Sequence, residues 1–403
     1  RHASILTVRF LFLSLPLPQT QQLLTTVNLP HLTNLVSTLL SRSSSVDPLS
    51  PPLPPSGPSP LQYKVNSLIT AANIEIGRAL ERQKRNKLAG ACKHFQLASK
   101  RCKVVLEWYP NHQEAKNLIY HCYFGKASSQ KQLGMTRCKG TEQEQTALEA
   151  ARINFKQASF FHENDPFSAH QVALCTAQLA GAITGPDKRL LYQAAFKKFK
   201  TSLKYIDLLL QHPSSSSFSS SPSPFVPSFS PSPTSLTNLK LVCLLNWGMS
   251  LLKYGGELIT ITKEMQGQQR KAHVVTANKL LTLAEEQFQA VLSMQNVHHP
   301  AQVGMGLSVW RRAQLLVLEG KPPEGVYQQA VGHFEEVLQQ DQHHAESLYN
   351  LSLIYGDWST SNTHLNTQHT TTCLQRSFHY CSQLVQVSPH FGPGVALLNY
   401  LKG

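Results

Sequence analysis

A chain of 403 residues with 41% hydrophobic residues can bury a core and suffices for two or three ordinary domains or one extended repeat array. Charged residues make up only 15%, and the net charge of +14 is unevenly placed: residues 1–140 hold 18 Lys/Arg against 5 Asp/Glu, the remaining 263 hold 19 against 18. There is no run of 18 apolar residues to span a membrane, and no GxGxxG, P-loop, HExxH or GxSxG signature, so the commonest nucleotide, zinc-protease and serine-hydrolase classes have no support.

The chain begins at Arg1 rather than Met, as a fragment would. Residues 1–46 contain no acidic residue, carry Arg1, Arg9 and Arg42, and are rich in Ser, Thr and Leu. They read as an unstructured leader. An organellar transit peptide is the alternative, and Phe10 to Leu17 has the length of a short signal-peptide core. Residues 47–60, DPLSPPLPPSGPSP, read as an extended proline-rich spacer, within which Pro51 to Pro55 resembles WW-domain ligands. A disordered leader and linker are therefore expected over 1–61.

Folded structure is expected from Gln62, in two stretches, 62–211 and 237–403. Ile69 to Leu80 is amphipathic. Ala98, Cys102 and Val105 follow at i, i+4 and i+7, which places them on one helix face, and Pro110 closes that helix. Glu114 to Gly125 is a weaker helix, with Lys116 where an apolar residue is wanted. The same spacing returns in Ala151, Phe155 and Ala158, and in Ala195, Phe199 and Ser202. Val172, Cys175, Thr176 and Leu179 supply the helix between them, and Gly185-Pro186 makes a turn. Residues 212–236 are dominated by Ser and Pro and carry no Lys, Arg, Asp or Glu, which predicts a flexible linker; Ser221, Ser223, Ser230 and Ser232 each precede proline.

Beyond the linker, Leu244, Trp247, Gly248 and Leu251 form one helix face, and Ala284, Phe288 and Val291 another. Leu252 to Thr276 between them is expected to be a lengthened hairpin or an inserted loop, with a break permitted at Gly255-Gly256 or Gly267. Helices follow around Leu307, Val309 and Ala313, and over Ala330, Phe334 and Val337. After a polar turn, Gln340 to His344, come Leu348, Leu351, Ser352 and Tyr355. A polar loop from Ser359 to Thr371 precedes Ser377, Cys381, Leu384 and Pro389, and Val395 to Leu401 reads as a short capping helix. Six of the eight cysteines fall inside these apolar patterns with no CxxC pair, as small buried hydrophobes of a reducing compartment would.

About six helix pairs result, three on each side of the linker. Their small and large positions resemble the tetratricopeptide repeat family, with Ile76-Gly77 and Trp247-Gly248 as the large-small pair of a first helix. The resemblance implies an all-α fold: an α-solenoid of antiparallel helix pairs wound into a right-handed superhelix, with the first helix of each pair lining a concave groove. It also implies a non-enzymatic interaction scaffold, holding a peptide or partner helix of unknown identity, without catalytic residues, cofactor or metal. In peptide-binding members, asparagine at the position of Asn246 and Asn350 contacts the ligand backbone. With Lys253, Tyr349 and Asp357 these are the candidate partner-binding residues. Glu346, Tyr349, Val242 and Leu245 stand where a carboxylate clamp would need basic residues, which disfavours a chaperone-tail partner.

The residues offer a second reading. Arg82, Lys84, Arg85, Lys87, Lys93, Lys100, Arg101 and Lys103, with Trp108 and Tyr109 close by, form a basic helical face suited to nucleic acid or to no partner at all. His298-His299, His343-His344 and the group Cys373, His379 and Cys381 are the only metal-like clusters; the two His pairs fall in inter-helix turns where polar residues are expected, and His379 and Cys381, two apart on a helix, diverge. Asn350-Leu351-Ser352 is a glycosylation sequon inside a packed helix. A cytoplasmic location is expected, or an organellar one if the leader is a transit peptide.

Overall fold

The computed structural model describes residues 59–137, 140–162, 164–212, 232–361 and 367–402. The leader and the serine-rich stretch 213–231, including Pro51 to Pro55, Ser221, Ser223 and Ser230, lie outside the described residues. The described residues form thirteen α-helices and no strand. In chain order these are α1 (Pro60–Lys84), α2 (Leu88–Trp108), α3 (Gln113–Arg137), α4 (Glu142–Ala158), α5 (Pro166–Ala182) and α6 (Asp187–Gln211). There follow α7 (Pro233–Thr262), α8 (Gly267–Met294), α9 (His299–Leu318), α10 (Glu324–Gln340), α11 (Ala345–Ser361), α12 (Thr367–Val387) and α13 (Gly392–Lys402). The protein is all-helical and solenoid-like, with neighbouring helices such as α1 and α2, or α11 and α12, packed together. Its helices group into two compact units, parted between Leu239 and Lys240. None is long and apolar enough to cross a membrane.

In the N-terminal unit the helix starts are chemically marked. Ser59 caps α1 by accepting from Gln62 N–H at 3.2 Å, with Pro60 in the first turn. Asp165 caps α5 by accepting from the N–H groups of Phe167 (2.9 Å) and Ser168 (3.0 Å), with Pro166 behind it. Each cap satisfies amides the helix cannot, and proline sits where no amide is needed. The predicted stripes are the buried ones: Ala98, Cys102 and Val105 join Val65, Ile69, Ala72, Ala115, Leu118, Ile119 and Cys122 in one cluster. Ala151 and Phe155 join Ala127, Val172 and Cys175 in the next. Ile76-Gly77 departs from expectation. Gly77 is exposed, with nothing within 4 Å of where a Cβ would stand, so no helix approaches α1 there. The close approach is at Gly125 of α3 instead, which lies against the ring of Phe95. The helix expected over Glu114 to Gly125 continues to Arg137.

In the C-terminal unit, the long hairpin alternative holds. α7 has 30 residues and runs through Gly255 and Gly256 without a break. These glycines serve packing. A Cβ on Gly255 would lie 3.1 Å from Leu281 Cδ2, and one on Gly256 3.5 Å from Arg311 Nε. The chain turns at Gly267, whose φ of 68° lies in the left-handed region that glycine enters at no steric cost. α8 then returns with Val274, Ala277, Leu281, Ala284, Phe288 and Val291 on its buried face. Phe288 is held from both sides. A Cβ on Gly248 of α7 would fall 2.7 Å from its ring, and one on Gly304 of α9 would fall 2.6 Å from it. Phe334 of α10 meets Gly306 of α9 in the same way.

The polar loop expected from Ser359 to Thr371 is helical over most of its length, with only 362–366 outside the described residues. The hydroxyls that suggested a loop bond back to carbonyls one turn earlier, Ser359 Oγ to Gly356 O (2.8 Å) and Thr371 Oγ1 to Thr367 O (2.9 Å). A column of rings links α10, α11 and α12: Trp358 stacks on Tyr327 (5.4 Å, 11°) and on Tyr355 (6.0 Å, 16°), and Tyr355 stacks on Tyr380 (5.9 Å, 9°).

Candidate binding site on the shared helix row

Burial separates the helices into two kinds. α4 and α10 each bury five of 17 residues along one stripe, whereas α5 buries eleven of 17 and α11 ten of 17. In the C-terminal unit α9 touches α11 directly, although α10 stands between them in sequence. A helix packed on several sides must be apolar nearly all round, so the polar side chains it keeps are informative.

In the C-terminal unit this shared row is α7, α9 and α11, and it carries the candidate partner-binding residues. Asn246 and Lys253 of α7 are half-buried. Asn350 of α11 is only 7% exposed and Tyr349 3%. Tyr349 belongs to the core with Leu348 and Leu384, its ring edge-on to Phe391 at 5.3 Å. Tyr349 is therefore corrected to an interior position, packed against Leu384 of α12 and Phe391, and Asn350 is likewise buried. Asp357 is bound within the fold. Its Oδ2 accepts from Trp310 Nε1 (2.9 Å), Gln314 Nε2 (2.7 Å) and Tyr327 Oη (3.1 Å), tying α9, α10 and α11 to one oxygen.

Sequence reading passed over the part of the row between these residues. Arg311 of α9 is half-buried, donates from Nη1 to Gln314 Oε1 at 2.8 Å, lies over the Trp310 ring at 5.1 Å and crosses toward Gly256. Arg312 turns the other way and pairs with Glu285 of α8 at 3.0 Å. Burial raises the Glu285 carboxyl above its usual range, and Arg312 opposes that rise. The signal was available: Trp310-Arg311-Arg312 is the only pair of adjacent cations beyond residue 271. Asn246, Lys253 and Arg311 are thus half-buried polar residues of this row, while Gln314 is interior, held by Arg311 and Asp357.

The basic face of the N-terminal unit is only partly as expected. Arg101 turns inward, donating to Ala71 O at 2.7 Å and standing 3.4 Å from Glu75, itself 5% exposed. His94 (2.6 Å) and Arg78 (3.0 Å) complete that cluster. The His94 hydrogen bond, with Arg78 and Arg101 beside it, holds the Glu75 carboxyl below its usual range despite its burial. Arg82 folds over Gly90, Arg85 pairs with Glu81 at 2.8 Å, and Lys103 lies over the Tyr123 ring at 5.5 Å. Lys84, Lys87, Lys93 and Lys100 remain exposed, as do Trp108 and Tyr109. Missed by the sequence reading were Lys197, Lys198, Lys200 and Lys204, exposed on α6. Residues 59–212 hold 23 Lys/Arg against 11 Asp/Glu, while residues 232–403 hold 11 of each.

The described residues contain no group of three or more His, Cys, Asp or Glu placed to hold a metal ion. Their seven cysteines are free thiols, six of them buried. No family model matches the sequence, and no curated protein does. Among solved structures, the chain is similar to the nuclear import adaptor Nro1 of S. pombe in two crystal forms. One shows 10% identity and a TM-score of 0.40 over 83% of this chain and 99% of that one. The other shows 10% identity and a TM-score of 0.38 over 88% and 100%. A further structure, described as the hypoxic regulator of sterol synthesis Nro1, a nuclear import adaptor, gives 11% and 0.40 over 84% and 99%. At such values no function passes from that protein to this chain.

Proposed function

We propose that this chain is a non-enzymatic interaction scaffold built as a tetratricopeptide-like array, and that it holds an extended peptide or partner helix along the shared row of its C-terminal unit. The observation that carries the proposal is the set of half-buried polar residues Asn246 and Lys253 on α7 and Arg311 on α9, on helices that bury most of their surface. Side-chain amides and long cations can meet both the carbonyls and the N–H groups of an extended chain. Free thiols in a buried setting fit a reducing compartment, the cytoplasm.

Affinity capture with the full chain, compared with a variant carrying Asn246→Ala and Arg311→Glu, tests it. The parent is expected to recover a defined partner that the variant loses, while circular dichroism shows both folded. Recovery of the same partner by both proteins refutes the site.

A second reading rests on the balance of +12 over residues 59–212. Under it, exposed lysines of α1, α2 and α6 bind an anionic polymer, RNA being the type case. Charge reversal at Lys84, Lys93 and Lys100 then weakens binding of single-stranded RNA, and the difference from the parent shrinks as salt rises. No binding by the parent at low salt removes this reading.

A further inference from the structure

Three helices begin on a histidine. His112, His298 and His344 precede the first turns of α3, α9 and α11. In each the ring Nδ1 accepts a backbone N–H three residues on, from Ala115, Ala301 and Ser347, at 3.2 Å in all three. Ser, Thr, Asp and Asn are the usual residues for this task, and they cap at any ordinary pH. Histidine caps only while Nδ1 keeps its lone pair, in the neutral ring with its proton on Nε2. A second proton turns the acceptor into a donor and sets a positive charge against the positive end of the helix dipole.

Two of these caps share one cluster in the C-terminal unit. The ring of His299 meets that of His344 at 5.5 Å and 78°, and His299 Nε2 bonds Gln340 Oε1 of α10 at 3.0 Å. On the same side, Gln302 of α9 bonds His333 (3.1 Å) and Glu336 of α10. Asp341 in the turn accepts from His343 N–H at 3.1 Å. The charged groups facing the cluster act in opposite senses. Asp341 favours a proton on His344 and Glu336 one on His333, while His299 disfavours one on either cap. Burial is the largest influence and holds His298, His333 and His344 below the ordinary histidine range.

We propose that the starts of α9 and α11 form an acid-sensitive joint, in which proton uptake at His298 and His344 releases both first turns and loosens the α9–α11 side of the C-terminal unit. His299 lies beside one cap in sequence and against the other in space, so both caps belong to one cluster.

Hydrogen exchange of the full chain, read by mass spectrometry and corrected for intrinsic rates, tests this. Peptides covering 299–306 and 345–352 are expected to lose protection roughly ten-fold per histidine between about pH 7.5 and about pH 5.5, since the lower value lies about one unit below the ordinary histidine pKa. A variant with His298→Asp and His344→Asp keeps caps that do not titrate in that range and is expected to hold its protection. If it misfolds at neutral pH, His298→Asn with His344→Asn supplies a neutral cap for the same comparison. No loss in the parent, or equal loss in parent and variant, overturns the proposal.

Discussion

Removing the Phe288 ring gives the sharpest test of how the C-terminal unit is held. Phe288 is fully buried, and both Gly248 and Gly304 lie so close that a Cβ on either would intrude on the ring, at 2.7 and 2.6 Å. Phe288→Ala therefore opens a cavity walled on two sides by helix backbone, which cannot collapse as side chains can. The cost should sit toward the upper end of the usual range, about 4–5 kcal/mol. The glycines supply a control of opposite sign. Gly304→Ala in the parent forces the ring aside and should destabilise by about 1–3 kcal/mol. In the Phe288→Ala background the same methyl enters empty space, buries roughly one CH₂ and removes a helical glycine, and should restore about 1–2 kcal/mol. Urea unfolding followed by tryptophan fluorescence can read this cycle, because Trp247, Trp310 and Trp358 all belong to the C-terminal unit and only Trp108 to the other. If Gly304→Ala destabilises equally in both backgrounds, the ring is not what occupies the space against Gly304.

Other perturbations follow from the same geometry. Asp357→Ala leaves Trp310, Gln314 and Tyr327 without their shared acceptor and should cost about 2–4 kcal/mol by urea unfolding, and a loss under about 1 kcal/mol would mean water replaces the carboxylate. Gly77→Ala meets nothing within 4 Å and should stabilise the N-terminal unit by about 1 kcal/mol; destabilisation would show that α1 needs glycine there. His170 is buried beside Lys131, and burial pushes its pKa down to about 3. A ring neutral when folded and protonated when unfolded gives stability that is complete above the ordinary histidine range and declines as pH falls toward the folded value, by up to about 1.4 kcal/mol per pH unit. Replacing it by a group that does not titrate, His170→Phe, should flatten that decline in urea midpoints taken from about pH 7 to about pH 4, and an unchanged slope would assign the dependence to other groups.

The stripes on the one-sided helices were legible because such a helix buries a single face, and a single face repeats every 3.6 residues. Ala98-Cys102-Val105 and Ala284-Phe288-Val291 needed no knowledge of neighbours. The shared row is different. Asn246 and Asn350 occupy matching positions in sequence, yet one is half-buried and the other interior. Glycine was ambiguous for a related reason: Gly255-Gly256 could break a helix or admit a neighbour, and only Leu281, on another helix, shows which. Arg101 left the basic face because Glu75 waits on α1, a pairing across 26 positions that no local pattern reveals.

The ring column through Tyr327, Trp358, Tyr355 and Tyr380 has an optical consequence. Chromophores stacked within 6.0 Å and nearly parallel exchange excitation, and in a chiral setting such coupled transitions give paired bands of opposite sign in near-ultraviolet circular dichroism. The Tyr327–Trp358 and Tyr355–Tyr380 stacks each cross between helices, so their contributions exist only while α10, α11 and α12 stand in register. The molecule therefore carries its own label-free gauge of that register, one that would fade while the far-ultraviolet signal of the individual helices persisted.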